Sequence, residues 1–219
     1  MGEAGSHDYL SPRFGSSALL LIDVQNDFLD DGAAPVAGTT GILAHLGALA
    51  AGYRSAGLPV VHVVRLYEPG DSDVDPVRRE LVESGAEIVA PGTVGSEIPA
   101  ALLPHPTALE PSALRSGEVQ HVADNEIILF KPRWSAFHRT VLEAWLRAAS
   151  VDTVVVAGCN LPNCPRATLF DATERDFRTV LAPDAVSQVS SERLADLSAI
   201  GVQLLSVDTI LDRIGAGRS

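Results

Sequence analysis

Three reactive side chains of this chain follow apolar runs. The run ALLLID ends at Asp23, EIILFK ends at Lys131, and the segment GCNLPNCPRAT holds Cys164. Lys131 is the single lysine of the sequence, and all other basic residues are arginines. An acid, an amine and a thiol can perform nucleophilic catalysis together, because a cysteine attacks as the thiolate and needs a group that takes its proton. These residues therefore predict a cysteine nucleophile.

The second cysteine, Cys159, lies five residues before Cys164, so the pair fits a redox pair, half of a metal site, or a nucleophile with a structural neighbour. Pro165 fits the first position of a helix, which would make Cys164 the residue that caps it. The helix dipole and Lys131 are then expected to lower the pKa of the Cys164 thiol. Asp23 is expected to accept the thiol proton, and backbone N–H groups of the turn before Cys164 to form an oxyanion hole.

The elements that must position these residues alternate along the chain. Continuous apolar runs predict buried parallel strands at 18–24, 59–66, 126–131, 151–158, 177–183 and 202–207. Helical spacing predicts helices at 38–57, 136–150, 165–176 and 191–200, with a short last helix. This alternation predicts the α/β class: one doubly wound, mainly parallel sheet in a three-layer, Rossmann-like domain. In such sheets, sites form beyond the carboxyl ends of the strands, where the three reactive residues fall.

The length of 219 residues suits one domain and is short for two. We predict a flexible N-terminal segment over residues 1–15 and a single domain over residues 16–219. Residues 67–124 are rich in proline, glycine and acidic residues, with one helical patch, and exceed an ordinary connection in length. We interpret this stretch as an insertion in the domain.

Composition excludes several classes of function. The formal net charge is -12 and the arginines are scattered, so we expect no nucleic-acid partner. No apolar run has the length of a membrane span, and the N-terminus lacks the pattern of a secretory signal, so we expect no membrane partner. Two cysteines are too few for a disulfide scaffold of this size. We predict a cytoplasmic protein.

Three motifs occur in an order that resembles a known family: DVQNDF, FKPRWSAF and AGCNLPNCPRATLFDA. Over about residues 18–187 the chain resembles the isochorismatase-like cysteine hydrolases, which include nicotinamidases, N-carbamoylsarcosine amidases and ureidoacrylate hydrolases. The resemblance implies the isochorismatase-like hydrolase fold and a triad of Asp23, Lys131 and Cys164. It also implies a cis peptide bond before Asn160 and an oxyanion hole made by the backbone N–H groups of Asn160 and Cys164.

The activity implied by the resemblance is hydrolysis of a C–N bond in a small amide, ureido compound or lactam. Cys164 would form a thioester, Asp23 would act as acid and base, and Lys131 would supply electrostatic support. The resemblance further implies a small-molecule substrate, a homodimer or homotetramer, and no cofactor.

The chain departs from the family pattern at several positions. Members often carry Thr-Asp where this sequence has Leu161 and Pro162, so the substrate preference of nicotinamidases is not carried over. Nicotinamidases bind a metal through an Asp-x-His cluster after the second strand. Here that strand runs into Arg65, and we predict no catalytic metal. His62 lies within the strand and is interpreted as a core residue.

The predicted walls of the substrate pocket are Phe28, Trp134 and Leu161. Arg133 could meet a substrate carboxylate, although an exposed arginine in a loop is the commoner role. Three other functions remain alternatives. Vinyl-ether hydrolysis is disfavoured because enzymes of that type resemble this fold but lack a nucleophilic cysteine. A non-catalytic binding protein is disfavoured by the intact acid, amine and thiol, and a redox protein by a spacing other than C-x-x-C.

Overall fold

A computed structural model describes residues 8–216 of the chain. Its strands are β1 (Ser17–Ile22), β2 (Val60–Val64), β3 (Gln120–Ala123), β4 (Glu126–Phe130), β5 (Thr153–Gly158), β6 (Arg178–Val186) and β7 (Gln203–Leu204). They form one sheet in the order β3-β4-β2-β1-β5-β6-β7. All neighbouring strands run parallel except the pair of β3 and β4. The predicted α/β class with a mainly parallel sheet is confirmed.

Helices cover both faces of this sheet. They are α1 (Leu43–Ala56), α2 (Pro76–Glu83), α3 (Pro111–Arg115), α4 (Leu142–Ala148), α5 (Cys164–Thr173), α6 (Ser191–Ala199) and α7 (Val207–Ala216). Alternate residues of β1 face opposite layers, as a strand requires. Leu19 and Leu21 pack in one apolar core with α1 and α7, whereas Leu20 and Ile22 pack in a second core with α4, α5 and α6. The predicted doubly wound, three-layer arrangement is therefore also confirmed.

Several element boundaries differ from the predictions. The helix predicted over 136–150 begins only at Leu142, and Arg139 has a left-handed backbone with φ of 55°, which interrupts a helix. The strand predicted over 202–207 shrinks to β7, and β6 continues beyond the predicted residue 183. β3 was not predicted, because its buried and exposed residues alternate at the edge of the sheet.

The predicted insertion, residues 67–124, contains α2, α3, β3 and two short 3-10 helices. Residues 1–7 of the predicted flexible segment and residues 217–219 of the predicted domain lie outside the described residues. Within the described residues, no helix is long and apolar enough to cross a membrane.

His62 belongs to a buried ionic cluster between β2 and β4. Its Nε2 lies 2.6 Å from Oε1 of Glu126, and the Arg54 side chain donates to both carboxylate oxygens of Glu126. Burial raises the pKa of Glu126, but the hydrogen bonds from Arg54 and His62 outweigh it and lower the pKa to about 2. His62 therefore has a structural role in the core, as interpreted from the sequence.

Gly158 ends β5 in a conformation that only glycine adopts easily. Its φ is +116°, and a Cβ there would overlap the backbone of Ile22. We expect Gly158→Ala to lower the free energy of unfolding by more than about 2 kcal/mol. Gly47→Ala is the matched control: it lies inside α1 with space for a methyl group, so it should stabilise the protein by about 0.5–1 kcal/mol. Urea unfolding measures both changes, and equal stability of the two variants would show that Gly158 is not required at the end of β5.

Candidate active site

Three strand ends bring the predicted triad to the same edge of the sheet. Asp23 follows β1, Lys131 follows β4, and Cys164 follows β5 through a turn of five residues. Because β1, β2, β4 and β5 are parallel neighbours, their carboxyl ends open on one side. All three side chains are buried, and Lys131 is fully enclosed.

The Asp23 carboxylate is the centre of this arrangement. Its Oδ2 accepts a hydrogen bond of 2.8 Å from Nζ of Lys131. Its Oδ1 is buried and has no hydrogen-bond partner among the described residues. The backbone of Asp23 has a φ of 52°, a left-handed conformation that is uncommon outside glycine. Such strain is typical of functional sites, and the free oxygen leaves Asp23 able to take up a proton.

Arg65 is a site residue that was not predicted from the sequence, where it served only as an argument against a metal. It follows β2 directly and is almost completely buried. Its Nη2 donates towards Sγ of Cys164 at 3.5 Å, and its Nε lies 3.7 Å from Oδ2 of Asp23. Its Nη1 donates to the Tyr67 hydroxyl at 3.0 Å and to the Asp75 carboxylate. The sequence feature that could have identified Arg65 is its position at the end of a predicted strand, as for Asp23.

Gln25 fixes the backbone of Arg65. The Gln25 side-chain oxygen accepts the Arg65 backbone N–H at 2.8 Å, and its amide nitrogen donates to the Arg65 carbonyl at 2.8 Å and to the Ser96 carbonyl at 2.7 Å. This fully buried amide thereby joins the loop after β1 to the end of β2. The guanidinium of Arg65 is consequently held against Cys164 by the rigid part of the fold.

The charges around Cys164 act on its thiol in opposite directions. Burial raises the pKa of Cys164, and the charge of Asp23 raises it further, whereas Lys131 and Arg65 lower it. The raising effects prevail, so the expectation of a lowered pKa is wrong for the protein without substrate. Burial of the thiol has the largest effect, and the carboxylate enclosed with it acts in the same direction. The resting thiol keeps its proton, and attack requires a base beside it.

The turn before Cys164 exposes two backbone donors. The peptide bond between Cys159 and Asn160 is cis. The backbone N–H groups of Asn160 and Cys164 donate to no other described residue. The residue that caps α5 is Asn163, and Cys164 is the first residue of the helix, so the predicted cap position is wrong by one residue. Cys164 nevertheless lies where the helix dipole favours negative charge.

A small cavity of about 60 Å³ opens beside these groups. Its polar lining includes Asp23, Arg65, Arg78, Asn160, Asn163 and Cys164, and its less polar lining includes Phe28, Val36, Tyr67, Val77, Trp134 and Cys159. Two of the predicted pocket residues, Phe28 and Trp134, line it. Leu161 does not, because its side chain is fully buried in the core beneath α5.

Two further predictions concern Arg133 and the absence of a catalytic metal. Arg133 does not line the cavity, and its guanidinium donates to Asp73 and to the Pro132 carbonyl. Among the described residues, no group of three or more histidine, cysteine, aspartate or glutamate side chains is arranged to hold a metal ion.

Comparison with known proteins gives concordant matches. The isochorismatase domain family matches residues 17–207. A probable inactive nicotinamidase from Arabidopsis thaliana is 32% identical over 203 residues, which covers 89% of this chain and 94% of that protein. A ureidoacrylate amidohydrolase from Methylobacterium radiotolerans is 27% identical, over 80% of this chain and 69% of that protein.

A solved structure agrees with these sequence matches. The crystal structure of an isochorismatase family protein from Desulfovibrio vulgaris has a TM-score of 0.77 and 33% sequence identity to this chain. The similarity covers 91% of this chain and 98% of that protein. Because the family match and this structural match both span most of the described residues, the chain belongs to the isochorismatase domain family.

Proposed function

We propose that this protein is a cysteine hydrolase that cleaves a C–N bond of a small amide, ureido compound or lactam through a thioester on Cys164. The coarser assignment, an enzyme that hydrolyses C–N bonds other than peptide bonds, is supported by relatives that are named amidohydrolases. The observation that carries the finer proposal is the Asp23 carboxylate. One of its oxygens is held by Lys131 and the other is buried without a partner among the described residues, beside a thiol that needs a base.

In the acylation step, the free Oδ1 of Asp23 takes the proton from the Cys164 thiol while Sγ attacks the substrate carbonyl. The carbonyl oxygen becomes an oxyanion and accepts hydrogen bonds from the backbone N–H groups of Asn160 and Cys164. Asp23 then donates the proton to the substrate nitrogen, the C–N bond breaks, and ammonia or an amine leaves. The acyl group stays on Cys164 as a thioester.

In the deacylation step, Asp23 is again a carboxylate and removes a proton from a water molecule that attacks the thioester. The same two N–H groups hold the second oxyanion. The bond from carbon to sulfur then breaks, the acid product leaves, and the proton on Asp23 returns to Cys164. Each proton removed is returned, so the enzyme ends in its starting state.

Lys131 and Arg65 have different parts in this proposal. The ammonium group of Lys131 donates to the Asp23 carboxylate, so it holds Asp23 in position. Arg65 contacts the sulfur atom itself, so it stabilises the negative charge that develops on Sγ during attack and again when the thioester breaks. Burial lowers the pKa of Arg65, whereas the sulfur of Cys164 when it is ionised, and the carboxylates of Asp23 and Asp75, raise it, so this guanidinium stays charged.

The size of the cavity limits the part of the substrate that reaches Cys164. A water molecule needs about 10–15 Å³ of comparable space, so the cavity accepts a group of roughly five heavy atoms in its interior. This supports a small substrate whose amide reaches Cys164 while the rest lies towards the opening beside Trp134. A homodimer or homotetramer in the cytoplasm stays a prediction from the sequence.

The three alternatives have less support. Cys159 and Cys164 are both free thiols, and burial raises the pKa of Cys159 to about 12, which disfavours thiol exchange. The thiol beside Asp23 supports a covalent route over vinyl-ether hydrolysis. The Arabidopsis relative is named as inactive, so a binding protein is the alternative that an activity test must address directly.

The thioester can be intercepted with hydroxylamine. We expect the wild type, given a panel of small amides, ureido compounds and lactams, to release ammonia or amine and, with hydroxylamine present, to form the hydroxamate. Cys164→Ala should lower both rates by at least about a thousandfold, because it removes the nucleophile. Cys159→Ser is the matched control and should still form hydroxamate. Product release by Cys164→Ala at the rate of the wild type would contradict the covalent mechanism.

The opposing charges around Cys164 predict opposite effects on its reactivity. Alkylation by iodoacetamide, followed against pH by peptide mass, should titrate Cys164 above the usual thiol pKa of about 8.5. Arg65→Gln should shift this titration to higher pH, because a cation that favours the thiolate is removed. Asp23→Asn should shift it to lower pH, because an anion that disfavours the thiolate is removed. Shifts in the same direction for both variants would contradict these roles.

A further inference from the structure

The charges that face the cavity do not cancel. Asp23 is paired with Lys131, and Arg65 is paired with Asp75, so these two pairs are balanced while the Cys164 thiol keeps its proton. Arg78, a half-buried residue in the first turn of α2, also lines the cavity. It adds a positive charge that no carboxylate of the described residues compensates.

The absence of a partner distinguishes Arg78 from the arginines around it. Arg79 donates to the Val74 carbonyl, Arg115 pairs with Glu68 and Asp71, and Arg133 and Arg139 both pair with Asp73. The guanidinium of Arg78 has no hydrogen bond or ion pair with any residue between 8 and 216. In a chain rich in carboxylates, with a net charge of -12, this guanidinium lines the same cavity as Cys164 and has no acidic partner among the described residues.

We propose that Arg78 binds a carboxylate on the substrate, so that the enzyme acts on small anionic amides in which an acid group and the scissile amide share one short chain. This inference rests on the proposed function and names its substrate class. A planar guanidinium can hold a carboxylate through two parallel hydrogen bonds. Three apolar side chains that line the same cavity, Phe28, Val77 and Trp134, offer no competing acceptor for that bond.

The carboxylate also explains how a small substrate is oriented. A primary amide alone has few groups by which the site can orient it. An acid group fixed by Arg78 at the opening would direct the amide at the other end of the chain towards Cys164 and the two free backbone N–H groups. The binding energy of the carboxylate would thereby position the carbonyl for attack.

The test compares acids with their isosteric amides. Succinamate and succinamide, and malonamate and malonamide, differ only in whether the distal group is charged. We expect the wild type to have a kcat/KM at least about tenfold higher for each acid than for its diamide. Arg78→Gln should reduce this ratio by at least about tenfold, and Arg78→Lys by less, since one charge-assisted hydrogen bond survives. Arg79→Gln, at the neighbouring exposed position, is the matched control and should keep the ratio of the wild type.

A second measurement needs no substitution at Arg78. The KM of the wild type for succinamate should rise with salt concentration, while that for succinamide should not, because salt screens an ionic contact at an open cavity. A ratio near one in the wild type, or the same ratio in the wild type and Arg78→Gln, would overturn the inference.

Binding to an inactive variant separates this inference from the proposed function. Cys164→Ala should bind succinamate more tightly than succinamide in calorimetry, and the double variant Cys164→Ala, Arg78→Gln should lose that preference. If this binding occurs but the wild type hydrolyses neither the four compounds nor any member of the panel of amides, ureido compounds and lactams, the carboxylate site stands and the hydrolase proposal fails. If hydrolysis occurs without any dependence on Arg78, the hydrolase proposal stands and the carboxylate site fails.

Discussion

Burial of opposite charges side by side is the constraint on which the rest of this site depends. Lys131 and Arg65 are removed from water at the carboxyl edge of the sheet, where an unpaired charge would cost several kcal/mol. Asp23 and Asp75 compensate them. The buried amide of Gln25 and the strained backbone of Asp23 hold these charged groups in position. The positions of Asp23, Lys131 and Arg65 thus follow from the need to pair each buried charge with an opposite one.

The same pairing decides the state of the nucleophile. Burial and the Asp23 carboxylate raise the pKa of the Cys164 thiol, and together they outweigh the two cations that lower it. In the proposed reaction, the reactivity of Cys164 therefore depends on Asp23. Side reactions of a free thiolate would be limited, because the negative charge would appear on sulfur only when Asp23 takes up the proton.

Much of this arrangement could be predicted from the sequence. Five of the six predicted strands agree closely with the structure, because strands buried on both faces of a parallel sheet appear in the sequence as continuous apolar runs. The polar residues at the ends of these runs pointed to Asp23, Lys131 and Cys164. The start of α4 could not be predicted, because it depends on a left-handed residue. The edge strand β3 was missed because it is short and its buried and exposed residues alternate, so it contains no continuous apolar run. The role of Arg65 was missed because its partner Asp75 lies in a loop whose path the sequence pattern does not reveal.

The short helix α2 carries two of these features within one turn. Asp75 caps it and neutralises Arg65, and Arg78 faces the cavity from the same turn. In the proposed reaction, changes to this helix would therefore alter the catalytic rate and the choice of substrate together. A graft of this helix from a relative, intended to change selectivity, would also exchange the counter-ion of an arginine that contacts the nucleophile. Directed evolution of this protein should therefore hold Asp75 constant while it varies the helix, since libraries that randomise both would confuse altered preference with lost reactivity.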